Sequence, residues 1–161
     1  MRRIHLLCAI GVSLSAVAAG GQATDAGALS GALRAHVQGE RFEIVTSVRG
    51  LPLGVRDELQ TLFDSGGLDI AERGGEFQVG NVAANSKRPI RRLVAAGCAK
   101  DHHCLVYYER GGSEHTWHVA LFHWTPAATR LEGGGTARGG LATIDDVRRA
   151  ILAGWTKARF W

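Results

Sequence analysis

Val55, Leu59, Leu62 and Phe63 recur at i, i+4, i+7 and i+8, a spacing that lines up apolar side chains on one face of a helix. Pro52 precedes the run, Asp57 and Glu58 fall early in it, and Gly66-Gly67 follow it. The pattern therefore predicts a helix over about 53–64. A second stripe, Ile144, Val147, Ile151, Leu152 and Trp155, predicts a helix over about 143–154, with Thr143 as N-cap and Asp145 and Asp146 in the first turn. Leu29, Leu33 and Val37 have helical spacing too. Gly27, Ser30 and Gly31 interrupt them, so 24–40 reads as a linker or a loose helix.

Elsewhere the period is two. Phe42, Ile44 and Val48 alternate with polar residues and predict a strand over 41–48, ended by Gly50 and Pro52. Leu68 with Ile70, and Phe77 with Val79, flank Arg73-Gly74-Gly75 and read as a hairpin over 68–82. The tetrapeptide "ERGG" of that turn recurs at 109–112, again between strand-like arms, so the same turn chemistry serves twice. Arms at about 90–97 and 104–110 form a second hairpin. His115 to Trp124 is apolar on both faces, as expected of a central strand with something packed on each side. The Gly-rich 125–140 reads as a long loop. Asp145 and Asp146 at the start of the next helix would repel a phosphate, which argues against a phosphate-binding loop. Together these elements predict one α+β domain over 41–161: an antiparallel sheet of about five or six strands with the two helices packed on one face.

The N-terminus adds an address. Arg2 and Arg3 precede an apolar stretch, Leu6 to Ala19, that is shorter than the roughly 20 residues a membrane span needs. Ala16-Val17-Ala18 follows the A-x-A pattern of a cleavage site, so 1–23 reads as a secretory signal peptide cut after about 18–23. No other segment approaches spanning length. A periplasmic or secreted location follows, with oligomeric state left open. Of the formal charge of +4, Arg2 and Arg3 leave with the leader, so +2 remains, too little to argue for nucleic acid. The densest basic run, "KRPIRR" at 87–92, lacks interleaved aromatics and reads as a solvated edge.

Export changes how the cysteines are read. Cleavage removes Cys8 and leaves Cys98 and Cys104, which in an oxidising compartment most simply form one disulfide. Pairing them places Ala96 opposite Val106 and Val94 opposite Tyr108, an apolar register. The enclosed loop is short, so the staple is worth about 2 kcal/mol.

The stretch "GCAKDHHCLVYYERGGSEHTWHVALFHW", 97–124, holds five of the seven histidines. Strand periodicity scatters them. His115 to His118 and His118 to His123 are odd spacings, which put each pair on opposite faces. His115 and His123 share a face but lie about 27 Å apart. No two of the three can hold one ion, and a metal site would need His102 or His103 with Asp101 or a residue from another strand. The expectation is therefore no metal and no cofactor, with His102 and His103 the only local pair.

For catalysis, the candidates are His102, His118 and Glu109; His118 and Glu109 would pair across the hairpin in one of two registers that differ by one residue, and the sequence leaves both open. No Ser-His-Asp or Cys-His signature accompanies them. Tyr107, Tyr108, His103, Trp117 and Trp124 are the candidate contact residues, since exposed tyrosine and tryptophan are typical of recognition surfaces. The reading is a small exported binding or inhibitor-like module, non-enzymatic, whose partner is another exported or envelope protein. The alternative is a small secreted hydrolase or nuclease using a His with Glu or Asp. Mass spectrometry of the protein recovered from its native host will find a mature N-terminus between residues 19 and 24. Recovery of an intact Met1 contradicts the leader assignment.

Overall fold

A computed structural model describes residues 29–80, 87–100 and 102–154. The expected leader, Asp101, Trp155 and the aromatic tail lie outside the described residues. In chain order the elements are α1 (Gly31–Gly39), β1 (Glu43–Val45), α2 (Leu53–Phe63), β2 (Arg91–Cys98), β3 (His103–Arg110), β4 (Thr116–Trp124), β5 (Thr129–Ala137) and α3 (Ile144–Ala153). The strands form a single antiparallel meander, β1-β2-β3-β4-β5. The fold is α+β, as the patterning predicts. Among the described residues no helix is long and apolar enough to cross a membrane.

β3 lies at the centre and is buried on both faces, as is most of β4. Ala96, Cys98, Cys104, Val106, Tyr108, Ala120 and Phe122 face α2, packing with Val55, Leu59 and Phe63. Ala95, Leu105, Tyr107, Val119 and Leu121 face the other way, against Val37 of α1 and Ile144, Val147 and Ile151 of α3. The helices thus cover opposite faces. The expectation that 53–64 and 143–154 share one face is corrected, and the physical reason is the two-sided apolarity of β3 and β4, which needs a layer on each side.

Three local expectations also change. The register holds at Cys98↔Cys104 and Ala96↔Val106, but Tyr108 pairs with Leu93, because a bulge between Leu93 and Ala95 adds a residue to β2. The expected hairpin at 68–82 does not form among the described residues. Its turn exists, with Gly75 N–H donating to Glu72 O, but its arms turn to other backbone: Ala71 bridges Arg92 in parallel, and Gln78 N–H donates to Pro89 O. The 125–140 loop is instead largely β5, whose Gly133–Gly135 lie opposite Leu121, Ala120 and Val119. Three consecutive glycines carry little β-propensity of their own, and the ladder to β4 supplies the order. The 41–48 strand is short, and Ile44 on it is 70% exposed at the sheet edge.

The segment around Gln78 lies so close over Gly111 that a β-carbon there would collide with the Gln78 carbonyl oxygen. Gly111→Ala will therefore lower stability by about 1–3 kcal/mol in urea unfolding. Gly66→Ala, with open space around it, will be neutral or slightly stabilising. Equal effects at the two positions contradict this packing.

Candidate metal centre

The site begins with α1. Ser30 Oγ caps it by accepting from Leu33 N–H at 3.3 Å, and Val37 buries fully against the sheet. Arg148 of α3 donates through Nε to Val37 O (3.1 Å) and through Nη2 to Gln38 O (2.8 Å), satisfying carbonyls that the end of α1 leaves open. Arg34 of α1 returns the contact, donating to Leu152 O at 2.7 Å. These reciprocal guanidinium contacts fix the C-terminal end of α1, where His36 and the C-cap residue Glu40 sit four apart on one side.

Opposite stands the β2–β3 turn. The Cys98–Cys104 disulfide closes it, with Cα atoms 4.1 Å apart. Ala99 N–H donates to His103 O, Trp124 N–H donates to His102 O at 2.8 Å, and Trp124 Nε1 donates to Ala99 O at 3.2 Å. The turn that carries His102 and His103 is therefore held covalently and by hydrogen bonds from β4. Because His103 is one residue from Cys104, it points to the face opposite the α2 layer, toward α1.

The two parts meet at Glu40. Its Oε1 lies 2.9 Å from His36 Nδ1, 2.8 Å from His103 Nδ1 and 3.6 Å from His102 Nδ1. One ligand atom from each of His36, Glu40, His102 and His103 falls within 4.8 Å of all the others. A tetrahedral zinc site with bonds of about 2.0–2.1 Å spaces its ligand atoms about 3.3 Å apart, so the widest pair needs to close by at most about 1.5 Å. The His103 side chain is 5% exposed and that of Glu40 13%, whereas His36 and His102 are more than half exposed. The group is anchored from below and open at its rim. His123 of β4 meets His103 edge-on, with ring centroids 5.5 Å apart. Three imidazoles and a carboxylate suit Zn²⁺, Cu²⁺ or Ni²⁺ and not the all-oxygen shells of Ca²⁺ or Mg²⁺.

Of the residues singled out from sequence, His102 and His103 come together here. His36 and Glu40 are not among the residues that strand periodicity singles out, because they lie at the end of a helix outside the histidine-rich stretch. The H-x-x-x-E spacing was legible once 31–39 is read as helix. None of the four belongs to β4, in keeping with the scatter of its histidines.

The other candidates separate. Glu109 does not meet His118; the two side chains take opposite faces of the sheet. Glu109, buried, instead accepts from Arg92 Nε at 2.6 Å and pairs with His115 Nε2 at 2.7 Å. His115 stacks on Trp117, centroids 4.4 Å apart. Among the described residues no hydroxyl or thiol hydrogen-bonds to His115. Tyr107 and Tyr108 are both fully buried, which removes them as contact residues. The Tyr107 hydroxyl donates to Arg138 O at 2.8 Å, and burial pushes its pKa up to about 12. Trp124 is held in the turn, and Trp117 is half-buried under His115.

Comparison with family models, curated proteins and solved structures returned no match to this chain.

His118, buried on the α2 face, has its pKa lowered to about 4, first by burial and then by Arg110 and Arg91. Its folded value lies below its unfolded one. The stability from its neutral form is therefore present above pH 6.5 and lost as pH falls toward 4, by at most about 3 kcal/mol. Urea midpoints at pH 7, 6, 5 and 4 will fall more steeply for the wild type than for His118→Asn; parallel pH profiles contradict it.

Proposed function

We propose that the protein is a small exported module that binds one divalent transition-metal ion, Zn²⁺ or Cu²⁺, through His36, Glu40, His102 and His103. The observation that carries this reading is the convergence of those four ligand atoms from two separately fixed elements, α1 and the β2–β3 turn. Four protein ligands complete a tetrahedral shell, the pattern of a holding site; catalytic zinc usually keeps a position for water. The half-exposed His36 and His102 provide an entry path, which suits carriage or buffering of an exchangeable ion. The leader-like N-terminus and the disulfide beside the site support a periplasmic or secreted setting. A partner on this reading is another exported or envelope protein that delivers or receives the ion.

Isothermal titration of the leader-free chain with Zn²⁺ and Cu²⁺ at pH 7.5 will give one site per chain. Glu40→Gln and His103→Ala will each weaken it by about 100-fold or more, beyond the usual cost of losing a supporting residue. Binding will release protons and weaken as pH falls, because ligation needs imidazole nitrogens free of their protons. Absence of stoichiometric binding, or wild-type affinity in His103→Ala, overturns the proposal.

A further inference from the structure

The opposite end of the α2 face carries a second group of side chains, which the metal reading does not use. Arg91 of β2 stands directly across from Arg110 of β3, and Arg110 across from Thr116 of β4. In the next rung, Tyr108 stands across from His118. Like charges placed opposite each other on neighbouring strands destabilise a sheet. Among the described residues only Asp69 answers them: its Oδ2 accepts from Arg91 Nη1 at 2.9 Å, while its Oδ1 accepts from Ile90 N–H. Arg110 forms no ion pair among the described residues. Two guanidinium groups and one carboxylate leave one positive charge in excess.

The hydrogen-bond account points the same way. Arg91, Tyr108 and His118 are each more than nine-tenths buried. Arg91 Nε, Arg110 Nε, Tyr108 OH and His118 Nδ1 are all buried without a hydrogen-bond partner among the described residues. Such groups cost about 1–3 kcal/mol each, more when charged. They are close to one another: the Tyr108 and His118 rings stack at 5.3 Å, and the Arg91 guanidinium lies 4.0 Å over Phe63, which meets Tyr108 edge-on. Thr116 Oγ1 lies 2.8 Å from His118 Nε2, and when the threonine hydroxyl donates there the proton of His118 sits on the orphaned Nδ1. A water molecule would satisfy one or two of these donors but would leave the charge unbalanced.

We propose that Arg91, Arg110, Tyr108 and His118 form a binding site for a small free oxyanion of the phosphate or sulfate type. The excess charge selects an anion, the several N–H and O–H donors select oxygen over a halide, and the burial selects a small ion over a group on a macromolecule. Asp69 holds Arg91 through Nη1 and leaves its Nε without a partner among the described residues. The proposal is independent of the metal centre, which lies at the other end of β3 on the opposite face.

The experiment is thermal unfolding of the leader-free chain with EDTA, titrated with sodium phosphate or sulfate against sodium chloride at matched ionic strength. A saturable rise in Tm is expected with the oxyanions and not with chloride. Arg110→Gln, whose side chain is only partly buried, will raise the apparent Kd at least tenfold, and Tyr108→Phe will raise it without loss of fold. His103→Ala will respond as the wild type does. NMR of the His118 ring will show shifts that saturate with the same Kd. A Tm rise of equal size in chloride, or an unchanged Kd in both Arg110→Gln and Tyr108→Phe, overturns the proposal.

Discussion

Side-chain alternation along β3, with its register set by the Cys98–Cys104 link, is the constraint on which the rest depends. Neighbouring residues on a strand point to opposite faces, and β3 is covered on both. Cys104, Val106 and Tyr108 therefore belong to the α2 layer, and His103, Leu105 and Tyr107 to the layer of α1 and α3. This parity sends His103 toward Glu40 and keeps His118 away from Glu109. A slip of one residue would exchange the two sets and dissolve both the proposed metal centre and the arginine cluster. The disulfide forbids that slip at the end of the hairpin where the metal ligands sit.

The proposed metal centre depends on a second, weaker device. α1 is nine residues long and buries one side chain, Val37, so helical propensity alone does not hold it. Arg34 and Arg148 exchange hydrogen bonds with the carbonyl ends of α3 and α1, and the Arg148 guanidinium also lies over Phe42. Charged donors on helix C-terminal carbonyls interact favourably with the helix dipole as well. The geometry of Glu40 is thus set from α3, more than a hundred residues away in sequence.

The two proposed sites use opposite electrostatic settings at opposite ends of one sheet. At the α1 end, a carboxylate sits among imidazoles and attracts a cation. At the far end, two arginines answered by the single carboxylate of Asp69 favour an anion, and burial, together with those arginines, keeps His118 neutral. The Glu109–His115–Arg92 group lies on the face of α1 and α3 and is internally satisfied, which reads as support for the β3–β4 turn.

Local patterning is enough to specify α2, α3 with its Thr143 cap, the three central strands and the Cys98–Cys104 pairing, because those signals are short-range: apolar spacing, capping residues and two cysteines six apart. It also determined that the histidines of β4 cannot share an ion. Long-range packing settles which face each helix covers, that a glycine run becomes β5, that the arms at 68–80 pair with other backbone, and that His36 and Glu40 meet His102 and His103. The physical reason is the same in each case. These outcomes rest on partners far away in the chain, whose backbone donors, arginines and apolar faces override weak local propensity, and no window of sequence contains both halves of such a contact.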